Sequence, residues 1–222
     1  MKLAIFDIDG TLVRGSSERL FWRYLAARGW QGPRQIFAYL SFLLRYLPTD
    51  GIHTMKKNKA YLCGLSSADV RALAVEFVAT RLVRRLYEPA VERLKQHELR
   101  GDTVVLISGT LDPIARALAD RLGVRHVLAT VCSECNGHYL AQPPRTHPYG
   151  ASKLALAEEL AAQMGAQLKY ASAYGDSHQD LFLLEAVSEA VAVSPDARLL
   201  EVAKTHDWEI ITAGDQHRGG RH

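Results

Sequence analysis

The chain has 222 residues, of which 48% are hydrophobic and 23% charged, a composition typical of a folded protein with a sizeable core rather than a disordered one. Its net charge of +3 does not by itself indicate binding to nucleic acid. The 3 cysteines do not suggest a disulfide framework, and no signal peptide is visible, so we expect a cytoplasmic protein.

The first predicted element is a buried strand over residues 3–9, LAIFDID, in which four apolar residues end abruptly in acidic ones. The segment that follows, residues 14–87, contains no convincing strand. Its most apolar stretch, residues 36–47, is too short to span a bilayer. Its apolar periodicity predicts four helices, over residues 17–28, 33–47, 52–62 and 67–86.

Short apolar runs and helical patterns alternate through the rest of the chain. The predicted strands cover residues 103–108, 127–131, 170–176, 190–194 and, more weakly, 208–212. The predicted helices cover residues 112–123 and 151–165, and a third helix begins at Pro195. This alternation is typical of a Rossmann-like, doubly wound parallel α/β sheet. We therefore predict an α/β core (1–13 and 88–213), an inserted helical cap domain (14–87) and a mobile tail (214–222).

The predicted cap differs from the core in charge. Residues 14–87 contain 13 Lys and Arg against 4 Asp and Glu, whereas the remaining residues contain 14 against 20. A basic cap above a slightly acidic core suggests that an anionic substrate binds between them. The alternative is that the cap simply has a solvated, charged helical face.

Polar side chains follow several of the predicted strands, at the sheet edge where α/β proteins bind their ligands. Asp7 and Asp9 end the first strand, and residues i and i+2 of a strand face the same way. Carboxylates grouped in this manner suit Mg²⁺, which also binds substrate phosphate. Further polar residues fall at other strand ends and at the start of a helix: Ser108, Lys153, Asp176 and Asp180.

The residue types at this edge can perform phosphate chemistry. A carboxylate such as Asp7 can attack phosphorus and form an aspartyl-phosphate. A second carboxylate, Asp9, can protonate the leaving oxygen and then activate water. Phosphoryl oxygens can be held by hydroxyl, ammonium and backbone amide groups, for which the candidates are Gly10, Thr11, Ser108, Gly109 and Lys153.

Together these residues resemble the haloacid dehalogenase superfamily of phosphohydrolases. The four motifs DIDGTL (7–12), LISGT (106–110), Lys153 and GDSHQD (175–180) occur in the family's order and span most of the chain. The resemblance implies an Mg²⁺-dependent phosphatase whose substrate is a small, anionic phosphomonoester. It also implies a nucleophile at Asp7, an acid/base at Asp9, metal ligands at Asp7, Asp9 (through its carbonyl) and Asp176, phosphate binding by Ser108 and Lys153, and support from Ser177 and Asp180.

The position of the helical insert and the downstream pattern resemble subfamily IB of that superfamily, which includes phosphoserine, histidinol-phosphate and phosphatidylglycerophosphate phosphatases. Phosphoserine phosphatases carry a glutamate nine residues after the nucleophile, where this chain has Ser16, and the nearest acid is Glu18. Their cap arginine falls near Asn58, among lysines. We therefore expect phosphoserine to be disfavoured as the substrate.

Several alternatives remain open from the sequence. The same motifs would occur in a phosphotransferase that uses an alcohol as acceptor, in a phospholipid-precursor phosphatase and in a non-catalytic phosphate-binding module. We do not expect the protein to bind nucleic acid. Cys132 and Cys135 have the spacing of zinc ligands, but they fall in a predicted strand–turn–strand flap (131–142). The large apolar residues of the cap predict a cap core or a subunit contact, with a greasy pocket or a membrane-facing surface as the alternative; they are Phe21, Trp22, Trp30, Phe37, Tyr39, Phe42 and Tyr46.

Overall fold

A computed structural model of the chain describes residues 1–51 and 53–212, except for the side chains of residues 49, 50 and 53. The predicted tail, 214–222, and the first residue of the helix predicted over 52–62 lie outside the described residues.

The core is a six-stranded, wholly parallel sheet. In spatial order its strands are β3 (His126–Thr130), β2 (Thr103–Leu111), β1 (Leu3–Phe6), β6 (Ser172–Gly175), β7 (Glu189–Val193) and β8 (Glu209–Ile211). Strand β1 lies inside the sheet and is buried on both faces, because Ala4 and Phe6 pack into one apolar cluster and Leu3 and Ile5 into the other. The predicted α/β fold class is confirmed.

Helices cover the sheet and form the segment between β1 and β2. They are α1 (Ser17–Ala27), α2 (Pro33–Asp50), α3 (His53–Lys57), α4 (Ser67–Thr80), α5 (Glu88–Leu99), α6 (Asp112–Leu122), α7 (Ala151–Gln163), α8 (Leu181–Leu184) and α9 (Ala197–Thr205). Short 3-10 helices occur at Ala60–Leu62, Leu82–Arg85, Leu168–Tyr170 and His178–Asp180. A two-stranded antiparallel hairpin, β4 (Glu134–Cys135) and β5 (His138–Tyr139), forms the predicted flap.

Two of the predicted helices are broken in the structure. The helix predicted over 52–62 stops at Lys57, because the Asn58 side chain replaces helical hydrogen bonds: its Oδ1 accepts from the Ala60 amide and its Nδ2 donates to the Tyr39 carbonyl. The helix predicted over 67–86 ends at Thr80 and continues as a 3-10 turn. Sequence reasoning also missed α5, whose Pro89 lies in the first turn.

The helical segment is attached to the sheet at two places. Where it joins the core, the Arg14 amide donates to the Arg85 carbonyl and the Tyr87 amide to the Leu12 carbonyl, at 2.8 and 2.9 Å. At the other place the β4–β5 hairpin bonds to residues 64–67, with the Gly64 amide 2.8 Å from the Tyr139 carbonyl. These contacts hold α1 to α4 over the carboxyl ends of the strands.

A buried polar group supports the sheet from the side of α5. His97 is 2% exposed, its Nδ1 lies 2.7 Å from Asp102 Oδ2, and its Nε2 lies 2.8 Å from the Tyr174 hydroxyl. The Tyr174 ring stacks on Phe6, which directly precedes Asp7, with 4.1 Å between the ring centroids. The network therefore helps to hold the end of β1 in place.

We predict that Tyr174→Phe lowers the free energy of unfolding by about 1–3 kcal/mol, because it leaves His97 Nε2 buried without its hydroxyl partner. The measurement is urea-induced unfolding. Tyr170→Phe, at a side chain that is 60% exposed, is the matched control and should leave stability unchanged. Equal stability of the two variants would contradict the role given to the network.

Candidate active site

Lys153 connects two of the predicted site carboxylates. Its ammonium lies 2.8 Å from Asp7 Oδ1 and 2.5 Å from Asp180 Oδ1, and all three side chains are at most 9% exposed. Lys153 stands in the first turn of α7, which begins after Gly150, and Asp7 follows β1 directly. Burial opposes the charge on Lys153, but the two carboxylates outweigh it and raise the pKa of the lysine.

The loop after β6 brings a third carboxylate, that of Asp176, close to Asp7 and Asp180. Asp180 Oδ2 accepts hydrogen bonds from the amides of Asp176 and Ser177 and from the Ser177 hydroxyl, at 3.2–3.3 Å. Asp176 also lies close to Gly10, where an added Cβ would stand 1.9 Å from Asp176 Oδ2. Gly10, at φ +85°, is therefore required both for its backbone conformation and for this close approach.

Carboxylate oxygens of Asp7, Asp176 and Asp180 lie within 4.8 Å of one another, close enough to bind one metal ion. Among the described residues, no other group of three or more Asp, Glu, His or Cys side chains is this close together. Burial, with the neighbouring carboxylates, raises the pKa of Asp7 to about 6 against the attraction of Lys153. Burial and Asp7 raise the pKa of Asp176 to about 8. Three carboxylates facing one ammonium leave net negative charge, which fits a divalent cation.

Asp9 lines the same cleft as Asp7 but is not a member of this carboxylate group. Its Oδ1 accepts from the Ser17 amide at 2.9 Å, at the start of α1, and the Ser17 hydroxyl lies 3.1 Å from that of Thr110. Burial raises the pKa of Asp9, and hydrogen bonds from Ser17 and Thr110 partly offset that rise. Sequence reasoning missed both partners of Asp9; the only signal was the pair Ser16–Ser17 at a helix start.

The candidate phosphate-binding residues divide into two groups. Ser108 and Gly109 line the same cleft as Asp7, Asp9, Gly10, Lys153 and Asp176. Contrary to expectation, the Gly10 amide is engaged with the Val13 carbonyl at 2.8 Å, because the turn after β1 closes on itself. Thr11 is fully buried and is not among the residues lining the cleft.

The cleft lies between the sheet edge and the helices α1 to α3, with a volume of about 1110 Å³. A second polar cluster forms part of its wall: Lys59 Nζ lies 2.5 Å from Glu18 Oε2, and the Tyr61 hydroxyl donates to Glu18 Oε1 at 3.0 Å. Sequence reasoning named Glu18 but missed both of these partners. Asn58 also lines the cleft, but its side-chain amide is already hydrogen-bonded to the Tyr39 carbonyl and the Ala60 backbone amide. Both oxygens of the Glu18 carboxylate thus have protein partners.

Known proteins match most of the chain. A family model described as haloacid dehalogenase-like hydrolase matches residues 4–185. The chain is 33% identical over 213 residues to a Mycobacterium tuberculosis protein named phosphoserine phosphatase SerB1, with 93% of this chain and 69% of that protein covered. It is 28% identical over 218 residues to a Neisseria meningitidis histidinol-phosphatase, with 94% and 97% covered.

Solved structures agree on the architecture. A Bordetella pertussis protein described as having unknown function superposes with a TM-score of 0.80 at 26% identity, over 95% of this chain and 97% of that one. A phospho-aspartyl intermediate analogue of phosphoserine phosphatase superposes with a TM-score of 0.63 at 20% identity, over 95% and 92%. The likeness to the latter supports the fold alone. The resemblance drawn from the four motifs is confirmed: this chain belongs to the haloacid dehalogenase-like hydrolase family.

Proposed function

We propose that the chain is an Mg²⁺-dependent phosphatase that hydrolyses a small phosphomonoester through an aspartyl-phosphate, the acyl phosphate of Asp7. The observation that carries this proposal is the grouping of Asp7, Asp176 and Asp180 around Lys153 at one end of a cleft. Relatives named phosphoserine phosphatase and histidinol-phosphatase support hydrolysis of phosphate esters.

In this mechanism an Asp7 carboxylate oxygen attacks phosphorus, and the bond from phosphorus to the ester oxygen breaks. Asp9 gives its proton to the departing oxygen, a role that suits a carboxyl whose pKa is raised by burial. Asp9 then takes a proton from the water that attacks phosphorus. The Asp7–phosphate bond breaks, and inorganic phosphate and the starting carboxylate result.

The other site residues hold charge and position. Lys153 holds Asp7 and Asp180 in place. Ser108 and Gly109 line the cleft and would contact phosphoryl oxygens. Mg²⁺ held by Asp7 and Asp176, with the Asp9 carbonyl, would reduce the repulsion between the attacking carboxylate and the phosphate dianion. Asp180 supports Asp7 through Lys153, and it supports Asp176 by accepting hydrogen bonds from the Asp176 and Ser177 amides.

The cleft also bears on the substrate. Glu18 is already engaged by Lys59 and Tyr61, and the positive charge of Lys59 beside it opposes binding of a substrate ammonium, which supports the expectation that phosphoserine is disfavoured. Beside its polar groups, the wall contributed by the helical segment carries large apolar side chains, Trp22, Ile36 and Leu40 among them. We therefore propose a phosphate ester whose leaving group is apolar or aromatic rather than a small amino acid.

We predict that Asp7→Asn lowers phosphate release by at least about a thousandfold, because an amide oxygen is a poor nucleophile toward phosphorus. The measurement is Mg²⁺-dependent phosphate release from an aryl phosphate, histidinol phosphate and phosphoserine, in which the aryl ester should give the highest kcat/KM. Asp120→Asn, at an exposed carboxylate of α6, is the matched control. Release that survives in Asp7→Asn would remove Asp7 as the nucleophile.

We predict that Asp176→Asn stabilises the metal-free protein at pH 8. A folded-state pKa of about 8 against an ordinary 3.8 means that the folded state binds more protons between those values, so stability falls as pH rises through this window. At pH 8, removing the carboxylate should raise the unfolding temperature by roughly 2–4 °C for each kcal/mol of stability regained. The increase should be smaller at pH 4. Mg²⁺ should raise the wild-type midpoint at pH 8 and leave that of Asp176→Asn nearly unchanged. An equal Mg²⁺ shift in both proteins would contradict metal binding by Asp176.

We predict that Glu18→Gln destabilises the fold by about 1–3 kcal/mol, because Lys59 is 5% exposed and would retain a buried charge without its partner. The double variant Glu18→Gln/Lys59→Met should recover part of that loss. Urea unfolding of the wild type, Glu18→Gln, Lys59→Met and the double variant measures the coupling. Additive effects would show that the two side chains do not depend on each other.

A further inference from the structure

Helix α2 is apolar on its exposed side as well as on its packed side. Ala38 and Phe42 pack against Ala60, as expected for a cap core. The opposite side bears five large apolar residues that we call the α2 face: Ile36 (60% exposed), Phe37 (74%), Leu40 (53%), Leu44 (81%) and Leu47 (49%). A row of this kind marks a surface that contacts something other than water.

Basic residues outnumber acidic ones on α2 and on α1 and α3. Exposed basic side chains lie on α2 itself and on the neighbouring helices α1 and α3, and none of them forms an ion pair with a described side chain; they are Arg19, Arg23, Arg34, Arg45 and Lys56. The acids on these three helices are Glu18 and Asp50, and Glu18 already has Lys59 and Tyr61 as partners. The surface is thus apolar along its length and positive around it.

The charge decides between the occupants that such a face could have. A second copy of the chain, packed face to face about a two-fold axis, would bring together two segments that each carry 13 Lys and Arg against 4 Asp and Glu. A helix that lies in the interface of an anionic bilayer has the opposite requirement: Phe and Leu on the buried face, with Lys and Arg beside it near the headgroups. We propose that the α2 face docks on the surface of an anionic phospholipid bilayer.

The α2 face is continuous with the substrate cleft. Ile36 and Leu40 belong to the face and also line the cleft, as does the half-exposed Trp22. Docking would therefore place the mouth of the cleft against the membrane. In the part of the chain that the structure describes, no helix has the length and apolarity needed to cross a bilayer.

The test is co-sedimentation of the full chain with vesicles of phosphatidylcholine alone and of an equimolar mixture of phosphatidylcholine and phosphatidylglycerol, without substrate. We expect binding to the mixed vesicles that weakens as salt is raised. Phe37→Ser/Leu44→Ser should lower the partition coefficient at least about tenfold, because both side chains are mostly exposed and would be buried only by the lipid. The matched control is Leu99→Ser/Tyr170→Ser, at two surface side chains of the α/β domain that are 88% and 60% exposed. It should bind as the wild type does.

Three outcomes would overturn the proposal. They are the absence of wild-type binding to mixed vesicles, equal binding by the two double variants, and a wild-type dimer that Phe37→Ser/Leu44→Ser converts to a monomer. Hydrolysis of a soluble aryl phosphate by all three proteins is measured in parallel. Loss of that hydrolysis in every protein would count against the proposed function, whereas the vesicle result concerns the α2 face alone.

Discussion

The arrangement of the site depends on one buried interaction, the contact of Lys153 with Asp7 and Asp180. A lysine that is 4% exposed cannot remain charged without partners, and two carboxylates this close together repel each other unless a cation lies between them. This mutual requirement joins the end of β1, the start of α7 and the loop after β6 at one point. The remaining net negative charge of the cluster is the physical basis for expecting a metal ion there.

Local sequence was sufficient to predict the sheet and the members of the cluster. Buried apolar runs define the strands, and the carboxyl ends of parallel strands meet at one edge, so that Asp7, Ser108 and Asp176 had to converge. Lys153 could be included because it starts the helix that leads into β6. The resemblance to a known family added the roles of these residues but was not needed for their proximity.

The contacts that the helical segment makes could not be predicted. The bonds of Asp9 to Ser17 and of Glu18 to Lys59 depend on how α1 and the segment after α3 are placed over the sheet. The break at Asn58 depends on a carbonyl of α2, nineteen residues earlier, that its amide reaches only in the folded state. The same placement leaves Phe37 exposed, although its apolar neighbours in sequence suggested a core position.

Borohydride trapping tests the central claim, that Asp7 carries the phosphoryl group, most directly. Borohydride reduces an acyl phosphate to an alcohol, so enzyme quenched during turnover of an aryl phosphate should contain homoserine in place of aspartate at position 7, found by mass spectrometry of the peptide spanning residues 3–13. The same treatment without substrate should leave Asp7 unchanged. Rapid phosphate release with no conversion at position 7, or with conversion at another carboxylate, would contradict the account.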